Sequence, residues 1–206
     1  MTRWLAWALA FSLGCAWRLP GLSAQERAWL VAPQSIPGAF LWRQRVELSH
    51  AEQREVLDVA LQKRCDELIL AVLAPLAPAP IVLVQRGRDL AVSGPAGERG
   101  SALAQRMLLD LERAYFLQAH PPAGGSGATH FEVDGQEVLE QWKKGRLRER
   151  SVRAGRSGET LVVTYGDGWD PAREPARASL DDRRRRIRAD IETVSRAAIA
   201  EDCETR

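Results

Sequence analysis

The chain has 206 residues, with 29 lysines and arginines set against 27 aspartates and glutamates, for a formal net charge of +2. So small a charge argues against a polyanionic partner such as nucleic acid, and the length suits one ordinary domain with a real core rather than two. Lysine is confined to Lys63, Lys143 and Lys144, so arginine carries nearly all of the positive charge.

The chain opens on Met-Thr-Arg, an apolar run from Trp4 to Leu13, and Gly14-Cys15. One cation, a short hydrophobic segment and a small residue before a cysteine form the pattern of a bacterial lipoprotein signal; the run is well short of the roughly 20 residues that span a bilayer. Residues 1–14 are therefore expected to be a signal peptide, with Cys15 the first mature residue, acylated on its thiol and amine. Ser12 and Leu13 stand in the reverse of the usual order, which keeps simple secretion and an uncleaved anchor open as alternatives. Residues 15–38, with Pro20, Gly21, Pro33, Pro37 and Gly38, read as a membrane tether, of which Trp29-Leu30-Val31 is the piece suited to packing on the domain.

From residue 39 to 200 the pattern is that of one folded domain. Phe40, Trp42, Val46 and Leu48 alternate with Arg43, Arg45 and Glu47, the period-two signature of a half-buried strand. Leu57, Val59 and Leu61 repeat it, and Leu68 to Leu73 is a continuous apolar run that predicts a strand covered on both faces. Ile81 to Val84 and Leu90 to Val92, parted by Gly87, predict a hairpin. Leu103, Met107, Leu111 and Tyr115 then fall four apart, which predicts one amphipathic helix over 101–118 with Ser101 as its N-cap and Arg106, Asp110 and Arg113 pointing away from the apolar face. Alternation returns around the Asp134-Gly135 turn, through Val138 to Trp142, Leu147 to Val152 and Thr160 to Tyr165; Gly166 to Ala178 reads as a loop. From Ile187 onward, strand and helix periods fit equally well.

The sum is an α+β domain: a strongly curved antiparallel sheet of nine or ten strands with a helix laid across its open side. Cys65 and Cys203 form either one disulfide or two free thiols, and both readings stand. His50, His120 and His130 are scattered and no cysteine spacing fits a metal, so neither a metal nor a cofactor is expected.

The order of these features resembles the outer-membrane lipoproteins encoded beside aryl-polyene and related fatty-acid-type synthases, which are taken as relatives of the Lol lipoprotein carriers. The matching pieces are Cys15, the strand Phe40 to Leu48, and Leu73-Ala74-Pro75-Leu76 leading into Ile81-Val82-Leu83. The segment Met107 to Leu111 and the closing run Arg186 to Thr193 complete the match. Ala77-Pro78 stands where that family usually has glycine, and its closing tyrosine is replaced within Arg183 to Arg186. The resemblance implies a half-open β-barrel of the Lol type, a closing segment that is a strand, and a greasy cavity for acyl chains.

A partly open sheet leaves concave apolar surface where ligands bind. Phe40, Trp42, Leu68, Leu70, Val72, Val82, Leu111 and Tyr115 are the residues expected to face it, and the alternative is that they form a filled core. Each buried methylene of an acyl chain contributes about 0.8 kcal/mol, so such a chain binds without polar contacts. The loop Ala74 to Pro80 carries no polar side chain; Leu76 in it is the expected membrane-touching residue, and the plainer reading tucks it into the core rim. Arg146, Arg148 and Arg150 would line one strand face, suited either to lipid head groups or simply to solvent. No Gly-x-Ser-x-Gly elbow, His-Glu-x-x-His helix or phosphate loop occurs, so no catalytic residue is expected. The resulting expectation is an outer-membrane lipoprotein on the periplasmic face, anchored by Cys15, that binds or transfers a lipid or acyl-type ligand, with an envelope protein as a further partner. The alternatives are a structural or assembly lipoprotein and, more distantly, an envelope hydrolase.

Overall fold

The structure, a computed structural model, describes residues 21–73, 79–95, 97–154, 159–171, 173, 176–200 and 203. Cys15 and Leu76 lie outside the described residues. Helix α1 (Ala24–Ala28) and a 3-10 turn (Pro33–Ser35) precede strands β1 (Phe40–His50), β2 (Gln53–Arg64), β3 (Glu67–Leu73), β4 (Ile81–Arg86) and β5 (Asp89–Ser93). Helix α2 (Gly97–Tyr115) follows, and then β6 (Gly127–Val133), β7 (Gln136–Lys143), β8 (Arg146–Ala154), β9 (Glu159–Trp169), β10 (Arg177–Asp182) and β11 (Ile187–Ala198).

All eleven strands form one antiparallel sheet in the order β5-β4-β3-β2-β1-β11-β10-β9-β8-β7-β6. The chain starts at the centre, steps outward to β5, crosses by α2 to the opposite edge at β6, and steps back until β11 zips against β1. Tight turns make most of these steps. Asp134-Gly135 and Lys144-Gly145 all take positive φ, the two-residue hairpin geometry that suits twisted strands. Strand and helix periods were equally good for the closing segment; pairing with β1 decides for strand, because Val46↔Ile191 and Leu48↔Ala189 complete a buried face that a helix would leave open.

The edges β5 and β6 do not pair, so the sheet is a cup rather than a closed barrel. At one end its edges still approach, with Arg88 after β4 reaching 3.9 Å from Asp134 after β6. The segment from Leu22 onward fills the gap. Trp29 Nε1 donates to the Asp134 carbonyl at 3.1 Å, and Gln85 Nε2 donates to the Val31 carbonyl at 2.9 Å. Leu22, Trp29, Leu30 and Ile36 are all buried in the main core. This part of the expected tether is a strap packed on the domain, anchored by the Trp29-Leu30-Val31 run.

The strap also changes the helix. Its run starts four residues ahead of the expected N-cap, and Ser101 lies within it, its Oγ donating back to the Gly97 carbonyl at 2.9 Å. Arg106 and Arg113, expected to point away from the apolar face, are buried and Asp110 is half-buried, because sheet covers one side of α2 and strap another; Glu112 is buried with them. Three strand expectations shift as well. β3 is buried only at Leu68, Leu70 and Val72; Ile69 and Ala71 are half-buried and Leu73 is 41% exposed, so its outer side is uncovered. Strand β9 runs on to Trp169, into the stretch that reads as loop, and β10 begins within that stretch at Arg177.

A disulfide joins Cys65, in the β2–β3 turn, to Cys203, with Cα atoms 5.7 Å apart. It ties the tail after β11 to the far side of β1 and β2.

Candidate functional site

The concave face of β1 presents Phe40, Trp42, Gln44, Val46 and Leu48 in turn, as period two requires. The same face of α2 presents Leu103, Met107, Leu111 and Tyr115. Between them lie two cavities, parted by the inward-facing Gln44 and by the helix turn from Leu111 to Tyr115.

The first cavity, about 50 Å³, sits beneath the middle turns of α2, Leu103 to Leu111, and over the middle of the sheet. Its body is apolar: Val46, Leu48, Met107, Leu111, Leu161, Leu180 and Ile191. At roughly 10–15 Å³ per enclosed water it holds a few waters and no acyl chain as it stands. The second, about 300 Å³, opens at the C-terminal end of α2 and is walled by Phe40, Trp42, Tyr115, Phe116 and Trp169. These rings are mutually packed: Phe40 stacks on Trp42 at 4.3 Å, and Tyr115 meets both Trp42 and Trp169 edge-on at 6.0 and 6.1 Å.

Four of the eight residues expected at a cavity thus reach one, Leu111 at the first and Phe40, Trp42 and Tyr115 at the second. Leu68, Leu70 and Val72 are buried in packed core instead. Val82 is turned away: Leu70 pairs with Leu83, which is fully buried, so the neighbouring pair Ala71 and Val82 faces the other side of the sheet. One residue of register separates the two faces.

One end of the first cavity is charged. Arg106 on α2 and Arg185 in the β10–β11 turn line it beside Asp110 and Asp182. Asp182 builds this corner: its Oδ1 accepts from the backbone N–H of Arg184 and Arg185 at 3.1 and 3.0 Å, and its Oδ2 holds the Arg185 guanidinium at 2.5 Å. Glu26, on α1 of the strap, closes it. Its carboxylate accepts from both terminal nitrogens of Arg106 and lies 3.5 Å from Arg185. Ser23 and Glu26 also form a reciprocal capping box that orients the carboxylate. Burial alone would push the Glu26 carboxyl up; the hydrogen bonds from Arg106 and Ser23 and the charge of Arg106 outweigh it and hold the group down at about 2. Asp110 is in turn 3.5 Å from Arg113.

The other end of α2 is fixed rigidly. Arg150, expected on an exposed basic face, is fully buried, because a register irregularity in the β8–β9 ladder between Leu147 and Glu149 breaks the alternation and turns it inward. Its guanidinium donates to the carbonyls of Arg113, Ala114 and Leu117 at the C-terminal end of the helix, where cations are favoured. Glu140 neutralises it at 2.6 Å and also accepts from His120 N and Trp142 Nε1. Tyr165 adds a hydroxyl donor to the Ala114 carbonyl. Of these residues the sequence singled out Arg150 alone, and on an outward face; Glu140 and Tyr165 carried no signal of this role.

Among the described residues no group of three or more His, Cys, Asp or Glu side chains is placed to hold a metal, and no helix is long and apolar enough to cross a membrane.

An open antiparallel cup with a helix lodged on its concave face and apolar space under that helix defines the class of fold. The chain belongs to a family described as "Protein of unknown function (DUF3261)", which matches residues 41–195. In fold it is similar to a LolA superfamily protein of Nitrosomonas europaea, at 12% identity and a TM-score of 0.48 over 85% of this chain and 91% of that one. A putative outer membrane lipoprotein-sorting protein domain of Vibrio parahaemolyticus matches at 13% identity and a TM-score of 0.45 over 84% and 89%. A DUF1329 family protein of Desulfovibrio piger matches at 9% and 0.41 over 91% and 95%. No curated protein matches the chain.

Proposed function

We propose that this protein is a non-catalytic envelope lipoprotein, held at the periplasmic face of the outer membrane by acylated Cys15, that binds or hands over an acyl-type ligand under α2. The observation that carries the reading is the apolar cavity between α2 and strands β1, β9, β10 and β11, with a separate aromatic mouth at the end of the helix. Apolar burial supplies the affinity, at about 0.8 kcal/mol per methylene. The Cys65–Cys203 disulfide supports an oxidising compartment such as the periplasm.

The cavity at rest is small, so binding requires movement. The helix end at Tyr115 is pinned by Arg150 and Tyr165, whereas Gly97, Glu98, Gly100 and Ser101 in its first turns are exposed or half-buried. The N-terminal half of α2 and the strap over it are the parts that move, and Met107 is the pliable side chain on the cavity side of the helix.

A second reading, a structural lipoprotein that docks an envelope partner, is favoured by the dense packing elsewhere: Leu61, Leu68, Leu70 and Leu83 are fully buried. Titration of delipidated protein with a fluorescent fatty acid separates the two. Saturable binding supports the carrier; its absence removes it in favour of the filled core. Intact mass of the mature protein, with Cys15→Ala as control, tests the anchor.

A further inference from the structure

Glu26 is not part of the cup, yet its carboxylate sits at the cavity's one charged end. We infer that this end is a head-group site for a single-chain carboxylate, with Arg106 and Arg185 as its recognising residues, and that Glu26 occupies the site when the protein is empty. The inference rests on the reading of the cavity as an acyl-chain site and adds what the chain must carry.

The argument starts from charge. The guanidiniums of Arg106, Arg113 and Arg185 meet the carboxylates of Glu26, Asp110 and Asp182 at this corner. Asp182 accepts from its own turn and Asp110 meets Arg113, while Glu26 contacts both Arg106 and Arg185. The side chains of Arg106 and Glu26 are only 8% and 11% exposed, so withdrawing Glu26 leaves a poorly hydrated positive charge. One monoanionic head restores neutrality; a neutral head does not. The two-nitrogen contact from Arg106 already has the geometry that suits a planar carboxylate.

The argument continues from position. Arg106 and Arg185 line the same cavity whose remaining wall is Val46, Leu111, Leu161, Leu180 and Ile191, so a head held there places its chain in apolar surroundings. The Glu26 carboxylate reaches in from a short helix of five residues, held locally by the Ser23 capping box and by Leu22 N donating to Gln105 at 3.1 Å. Strap and head group therefore compete for the same two arginines. Ligand entry swings Glu26 out, and release lets it return, so the strap acts as a built-in displacing acid.

The test compares dansylundecanoic acid with its methyl ester on the full, delipidated chain. The acid is expected to bind at least about tenfold more tightly, the scale of one charge-assisted hydrogen bond. Glu26→Gln, which keeps shape and removes the competing charge, is expected to raise acid affinity by about tenfold and leave the ester within about twofold. Glu26→Gln combined with Arg106→Gln, which strands no buried charge, is expected to erase the preference. Equal binding of acid and ester by the unaltered protein overturns the inference while leaving the acyl-chain reading intact, and needs no variant to fold. Binding of neither probe overturns both.

Discussion

The Arg150 guanidinium lies 2.6 Å from the Glu140 carboxylate with neither side chain exposed, and the same guanidinium caps the end of α2. A buried ion pair is weak evidence for stability in itself, but removing one partner leaves a lone charge in a dry site and costs about 3–5 kcal/mol. Loss of Arg150 also removes the donors it gives to the carbonyls of Arg113, Ala114 and Leu117. Glu140→Ala and Arg150→Ala are each expected to lower unfolding free energy by at least about 3 kcal/mol in urea titrations. A change below about 1 kcal/mol would show that the pair is solvated and the capping role wrong.

Glu112 predicts a pH dependence. Its carboxylate accepts from Val31 N at 3.0 Å, and burial pushes it up to about 8, against the hydrogen bonds from Val31 and Gln85 and the charge of Arg113. Between its ordinary value of 4.5 and about 8, the folded chain keeps a proton that the unfolded chain has lost. The stability linked to that proton is complete below the lower value and falls away as pH rises to the upper one, by up to about 1.4 kcal/mol per unit. Glu112→Gln keeps an acceptor for Val31 and never ionises. Its stability relative to the unaltered protein is expected to climb from pH 6 to pH 8; a constant difference across that range would place the ionised carboxylate in the folded state.

The disulfide spans 138 residues of sequence. Chain entropy alone puts the stabilisation by such a cross-link at about 5 kcal/mol, an upper figure for real proteins. Cys65→Ser with Cys203→Ser is expected to lower the urea midpoint with β1–β11 pairing intact, readable by amide exchange. Identical midpoints for the unaltered protein with and without reductant would mean that the bond contributes nothing.

Filling the first cavity separates ligand binding from folding. Ala189 lies at its wall, half-buried and opposite Leu48. Ala189→Leu is expected to weaken fatty-acid binding by about tenfold or more while costing no more than about 1–3 kcal/mol of stability, the usual range for overpacking. Undiminished binding in a folded variant would move the ligand to the aromatic mouth at Trp42 and Trp169.

The sequence by itself determined much of this protein's architecture. Alternation from Phe40 to Leu48, the Asp134-Gly135 turn and the four-residue spacing from Leu103 to Tyr115 each record where one local segment meets core or solvent. Together they specify a curved antiparallel sheet with a helix inserted between its halves. The tertiary structure alone decided which charges are inside. Glu26 reaches Arg106 across 80 residues and Arg185 across 159, and Arg150 reaches the helix end across more than 30. Contacts so distant in sequence leave no period to read. Val82 and Leu83 show the same limit at short range: both are apolar, and only pairing with Ala71 and Leu70 decides which of them faces the cup. Periodicity reports the solvent exposure of one element, whereas the cavity and its charged end arise from how five elements and a strap close over one another.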